Sequence, residues 1–155
     1  MSTVRITVIL FCLACLLPTT SFAADCDQTA LKDEHKDAAT LQRPELAWSD
    51  AFTKGDTDFE RCLLTPDFTE ITRTGLVKHL ADELALAAQN RGKHLPPPTP
   101  LPIPVLIHGE VAVAYVAVLH SKDGKGFTVY NADYYLWEGG VWRAYFSQQT
   151  QYPSS

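Results

Sequence analysis

Residues Phe127–Gln149 read FTVYNADYYLWE, then Gly139-Gly140, then VWRAYFSQQ. Two aromatic-rich, alternating runs on either side of Gly-Gly predict a β-hairpin. A two-residue type I′ turn needs φ > 0 at both central positions, which glycine adopts without steric cost. Alternation places Phe127, Val129, Asn131, Asp133, Tyr135 and Trp137 on one face of the first strand, and Tyr130, Ala132, Tyr134 and Leu136 on the other. Asp133 is the odd residue in that pattern. A carboxylate among such neighbours must find hydrogen bonds or take a raised pKa, because burying its charge costs several kcal/mol.

Working backwards from the hairpin, Ser121–Gly126 contains Asp123-Gly124 and reads as a turn. Val111–His120, the turn His108-Gly109-Glu110 and Val105–Ile107 read as a preceding pair of strands. The proline-rich run Leu95–Pro104 cannot pair centrally in a sheet; it is either a lid over a cavity or a passive connector. Leu76, Val77, Leu80, Leu84 and Ala88 recur at helical spacing up to Gly92, and predict a third helix. Asp67–Thr72 alternates and predicts a short strand turning at Gly75. Thr57-x-x-Glu60 reads as a capping box opening a second helix, Phe59–Leu64. The main first helix is expected to start near Pro44, which suits a first helical turn, and to stop at Gly55; Asp27–Gln42 before it reads as a weak polar helix.

Helices first and an antiparallel sheet later describe an α+β domain with helices on one sheet face. Strict alternation groups Tyr115, Ala117 and Leu119 on one face of their strand, and Trp142, Ala144 and Phe146 on one face of theirs. With Trp48, Phe52 and Phe68 these side chains are expected to converge between sheet and helices. Two readings stand side by side: a filled core, or an apolar pocket with Asp133 as its polar anchor and Thr72 at its edge. Asp133 is likewise either a pocket acid or a structural one, paired with Arg143 or a nearby hydroxyl.

The motif Asp133-x-Tyr135-x-Trp137-x-Gly139-Gly140-x-Trp142-Arg143-Ala144, followed by Ser147-Gln148-x-Thr150, resembles the terminal strands of SnoaL-like, DUF4440-type domains of the nuclear transport factor 2 (NTF2-like) superfamily. Trp48-x-x-Ala51-x-x-x-Gly55-Asp56, Pro66-Asp67-Phe68 and Gly109-x-x-Ala112-Val113 extend the likeness over Glu45–Thr150. The resemblance implies an NTF2-like cone, N-terminal helices packed on a strongly bent antiparallel or mixed sheet, with a pocket between them. In the ketosteroid isomerase branch the strand matching Asp133 carries an acid that stays protonated and donates to a developing oxyanion. The tyrosine that is its second donor falls here at Trp48, and its catalytic aspartate base at Thr72. Threonine cannot serve as a base near neutral pH, so steroid isomerisation by that mechanism is not expected.

Composition bounds the rest. A chain of 155 residues, 46% hydrophobic and 20% charged, fits one ordinary domain, and a net charge of −5 without a Lys/Arg cluster argues against nucleic acid and anionic lipid as partners. Arg5, the apolar run Ile6–Leu17 and Ser21-Phe22-Ala23 form the pattern of a cleaved signal peptide, 1–23, with the cut after Ala23. Neither Asn90 nor Asn131 lies in a glycosylation sequon, so the expected location is a periplasm or secretion from a bacterium. Residues 24–43 are then a polar extension and 44–152 the domain proper. Cys26 and Cys62 remain after cleavage and are expected to form one disulfide, closing a loop of about 36 residues worth roughly 3–4 kcal/mol in the chain-entropy account; two unpaired thiols are the alternative.

His35, His79, His94, His108 and His120 show no H-x-H or H-x-x-x-H spacing, so no metal is expected, and no cofactor motif is present. Three functions remain open. One is binding of a small apolar or aromatic ligand, and another an isomerase- or cyclase-type enzyme using Asp133 as acid or base. The third is a ligand-free dimerisation or interaction module, pairing through the outer sheet face.

Overall fold

The computed structural model describes residues 31–93, 102–122 and 125–151. The expected signal segment, Cys26 and most of the proline-rich run lie outside them.

The first helix, α1 (Ala38–Lys54), starts well before Pro44. Asp37 caps it: its side chain accepts from the Thr40 N–H at 2.9 Å while its own N–H donates to Thr40 Oγ1 at 3.1 Å. Pro44 therefore lies inside the helix and denies one backbone donor to Thr40 O. The buried stripe Thr40, Leu41, Pro44, Glu45, Trp48 and Ala51 explains why the helix runs on through the proline. Leu41 is fully buried on the same face as Trp48, so the extra turns bury apolar surface that the missing hydrogen bond does not outweigh.

α2 (Thr57–Leu63) is capped by Asp56, one residue before the expected Thr57, and runs directly into β1 (Leu64–Ile71). Residues expected to open the third helix instead form β2 (Val77–His79), antiparallel to β1 with Glu70 opposite Lys78. Leu76 and Val77 are exposed, so their apolar spacing reflected no buried helix face. α3 (Leu80–Ala88) follows, then β3 (Val105–His108), β4 (Val111–Lys122), β5 (Lys125–Glu138) and β6 (Val141–Gln151). The sheet is mixed and open, ordered β2-β1-β6-β5-β4-β3, with β1 parallel to β6. Among the described residues, three helices lie on it. The expected hairpin is present, with Gly139 and Gly140 at φ 60° and 87°.

Residues paired across the sheet share a face, and the register fixes which. Asp133 pairs with Ala114 on β4 and Ser147 on β6, and Ser147 with Glu70 on β1. One row on the helix-facing side therefore reads Lys78, Glu70, Ser147, Asp133, Ala114, Val105. Ala114 and not Tyr115 faces the helices; Tyr115 pairs with Ala132 and is half exposed on the outer face. On β6 the register slips at Tyr134/Tyr135, so that Tyr135 faces Ala144, Tyr134 faces Phe146, and Tyr145 is the extra residue of a β-bulge. The bulge reverses the alternation. Phe146 turns outward, its ring 5.6 Å from Tyr134, and Ser147 turns in.

Gly55 marks where the end of α1 meets the end of α3. Its φ is 73°, and a Cβ there would lie 2.7 Å from Arg91 N and 2.9 Å from Arg91 Cα, both backbone atoms. Gly139 has a similar φ but open space around it. Gly139→Ala is expected to cost about 1–2 kcal/mol from the left-handed backbone alone. Gly55→Ala adds the clash, for a total of about 3 kcal/mol or more. Urea midpoints of the two variants measure the difference; equal losses would mean that the α1–α3 contact yields freely.

Candidate functional site

The inner face holds an apolar wall and a set of buried acids. Trp48 from α1 and Phe68 from β1 meet edge to face at 5.6 Å, and Trp142 from β6 meets Trp137 at 5.1 Å. Trp142 also donates its indole N–H to Thr40 Oγ1 at 3.2 Å, tying β6 to the first turn of α1. Ala112, Ala114 and Ala144 supply the small inner surface on which α1 settles.

Asp133 is 2% exposed and sits in the middle of this face. Its partner is not Arg143, which lies on the outer side of β6, donating to Leu64 O at 2.7 Å. Asp133 is hydrogen-bonded to the Ser147 hydroxyl instead, and its Oδ1 has no partner among the described residues. Two residues along β5, Tyr135 donates its hydroxyl to Glu45 Oε2 at 2.5 Å, within the core. Burial pushes the Asp133 carboxyl well above its usual range, and the nearby Glu45, then Glu70 and Glu83, push it further, against the Ser147 hydrogen bond. Burial raises Glu45 to about 7, opposed by the Tyr135 hydrogen bond, and raises the Tyr135 hydroxyl itself, so tyrosine remains a donor.

The acids continue toward α2 and α3. Glu83 is raised to about 7 by burial and by Glu70, with Lys78 opposing. Glu60, with both carboxyl oxygens buried and without partners among the described residues, is raised to about 8 by burial, then by Glu83 and Asp56. Lys78 Nζ stands 3.1 Å from Glu70 Oε2, an ion pair outside hydrogen-bonding geometry. The chemistry available is therefore a carboxyl at Asp133 whose burial favours its protonated form, beside a tyrosine–glutamate hydrogen bond.

Of the residues singled out in the sequence, Trp48, Phe68, Trp142 and Asp133 are brought together inside. Phe52 is half-buried at the far end of α1, where its carbonyl accepts from Asn90 Nδ2. Thr72 is buried, but its hydroxyl is committed to the β1–β2 turn, accepting from Leu76 N–H at 3.1 Å. Tyr115 and Phe146 are on the other face of the sheet. Glu45, Tyr135, Ser147, Glu70, Glu83 and Glu60 were not singled out. Glu45 lies one helical turn from Trp48, and Glu70 alternates between Phe68 and Thr72, so both were within reach of the same periodicity.

No family model and no curated protein matches the sequence. Solved structures do match. A Cytophaga hutchinsonii NTF2-like protein aligns at TM-score 0.66 and 16% identity over 76% of this chain and 100% of that one. A ketosteroid isomerase-like protein from Parabacteroides distasonis aligns at 0.57 and 13%, over 81% and 97%. The association domain of Caenorhabditis elegans CaMKII aligns at 0.61 and 16%, over 72% and 93%. The chain has the NTF2-like fold. Asp133 lies on the inner sheet face of that NTF2-like cone, under α1.

Because these folded pKa values are raised, the native state holds protons that the unfolded chain releases near 4.5. Their contribution to stability is complete below that pH and is lost as pH rises through about 7–8. Asp133→Asn keeps shape and hydrogen-bonding capacity without charge, and is expected to cost less than about 1 kcal/mol at pH 7. Glu60→Gln is expected to leave the urea midpoint at pH 5 unchanged and raise it at pH 8.5. A wild type that loses stability on acidification from pH 7 to 5 would contradict both assignments.

Proposed function

We propose that this domain binds a small organic molecule against the inner face of its sheet, with Asp133 as polar anchor and Trp48, Phe68 and Trp142 as apolar wall. One observation carries the reading: Asp133 is buried and its Oδ1 has no hydrogen-bond partner among the described residues. A buried polar oxygen without a partner costs about 1–3 kcal/mol, a cost a bound molecule can remove. The terminal motif supports placing the domain with the SnoaL-like, DUF4440-type group. Native mass spectrometry of freshly purified protein, followed by ligand-observed NMR with a fragment library, tests the reading. Binding is expected in the wild type and weakened at least tenfold in Asp133→Asn; a protein that neither carries nor saturates with any small molecule overturns it.

The same acid supports the enzyme reading, since a protonated carboxyl can donate to a substrate oxygen as its charge develops. A second reading rests on the outer face. Leu106, Tyr115 and Tyr130 are 62%, 48% and 48% exposed there, beside Tyr134, Tyr145 and Phe146. A second copy of the chain packed on this face would cover them, in keeping with the likeness to an association domain. Sedimentation of the wild type against Tyr115→Asp decides it: a dimer that becomes a monomer supports the pairing, and a monomeric wild type refutes it.

The signal pattern supports export, cleavage after Ala23 and oxidation of Cys26 with Cys62, which is buried on α2. Protein recovered from a periplasm is expected to begin at or near Ala24 and to release thiols only on reduction. Two thiols alkylated in the unreduced, unfolded protein would rule the crosslink out.

A further inference from the structure

Two buried carboxyls stand where α2 and α3 meet. Glu60 of α2 is wholly buried, and neither of its oxygens has a hydrogen-bond or ion-pair partner among the described residues. On β1, which α2 runs into, the Thr65 hydroxyl is buried without a partner too, so it makes no hydrogen bond to Glu60. Glu83 of α3 is buried within repelling distance of Glu60, and Asp56 at the start of α2 adds to the repulsion. Glu83 in turn feels Glu70 of β1 and itself acts on Asp133 of β5, which Glu45 of α1 faces. The cations nearby are engaged elsewhere. Lys78 of β2 lies 3.1 Å from Glu70 Oε2 and favours the charged form of Glu83 only in part. Arg91 donates to Gly55 O and Thr57 Oγ1, Arg143 of β6 donates to Leu64 O, and Arg61 of α2 is exposed.

The helix that carries Glu83 is lightly anchored. Of the nine residues of α3, Leu84 and Ala87 are the buried apolar ones, and neither belongs to the main core cluster, against which Leu80 packs in part. A helix of this length is marginal without tertiary contacts. Its two ends are tied, by the pairing of β2 with β1 and by Asn90 Nδ2 on Phe52 O, so the part free to leave is the helix between them. We propose that α3 is a pH-governed flap: the Glu60–Glu83 carboxyl pair latches it to α2 while the pair holds its protons, and ionisation of the pair releases it. Ionised in place, the two carboxylates would face each other without a donor or cation at Glu60, and the cheaper course is for α3 to loosen and let water reach both. With α3 in place the pair keeps its protons up to about 7–8, whereas solvated carboxyls release theirs near 4.5. Release is therefore hardest below about pH 4.5, becomes easier as pH rises through that window, and levels off above about 8. The latch operates whether or not the inner face takes a ligand. Its release bares β1 at Glu70, on the row that leads through Ser147 to Asp133.

Amide hydrogen exchange of the intact purified protein, read by mass spectrometry at pH 5.5 and 8.5, tests the flap without any ligand. Wild type is compared with Glu60→Gln at each pH, so that the rise of intrinsic exchange with pH cancels. At pH 8.5 peptides covering residues 80–91 are expected to exchange about tenfold faster or more in the wild type than in Glu60→Gln. Peptides of β5 and β6 should stay protected in both over the same interval, and at pH 5.5 the two proteins should exchange alike. Glu83→Gln is expected to act as Glu60→Gln does, and replaces it should that variant not fold. Equal exchange of residues 80–91 in wild type and both variants at pH 8.5 overturns the latch. Exchange of α3 together with β5 and β6 overturns it as well, because the opening is then that of the whole domain. Should neither variant fold, the wild type alone decides: an α3 as protected as β5 and β6 at pH 8.5 is not released.

Discussion

One extra residue on β6 decides what faces the helices. If β6 paired with β5 without the bulge at Tyr145, Phe146 would follow Ala144 inward and Ser147 would turn to the outer face. Asp133 would then lose the hydroxyl beside it and gain a phenyl ring. Because β6 also pairs with β1, the same shift sets Glu70 beside Ser147 and completes the polar row across the sheet. Phe146, displaced by the bulge, joins Tyr134 and Tyr145 on the outer face, which is why that face carries one more aromatic ring than alternation alone implies.

The fold was legible because its signals were local. Gly139-Gly140 between alternating runs fixed a hairpin, Gly55 ended a helix, and the order of helices and strands described an α+β layer. The errors were local too, and each has a physical cause. Pro44 argued for a helix start, but a reciprocal cap at Asp37 and a buried Leu41 carried α1 through it. Leu76 and Val77 matched a helical period by chance, while pairing with β1 drew Val77 into a strand.

The site was legible only in part. Alternation along β5 correctly put Asp133 inside, since one unbroken strand needs only a period of two. Choosing which parity of β4 faces inward needed the cross-strand register, so Tyr115 was placed on the wrong side. A bulge leaves no signature in YFSQQ, so Phe146 and Ser147 exchanged roles unseen. The flanking acids were hidden for a different reason. Glu60 read as the last residue of a capping box, and Glu45, Glu70 and Glu83 drew no reading, because carboxylates are seldom buried without a partner.

That rarity is the strongest argument that the inner face serves something besides stability. A core of this size could have placed apolar residues at all five positions and avoided the desolvation cost of each carboxyl. Tyr135 and Glu45 at least satisfy one another across α1 and β5, and Lys78 meets Glu70 at the sheet edge. Asp133 Oδ1 and both oxygens of Glu60 have no such return among the described residues. Held as neutral acids they cost least, and the crowding of carboxyls keeps them so, each raising the affinity of its neighbour for a proton. The cluster thus tolerates its own burial by favouring the protonated form of its members.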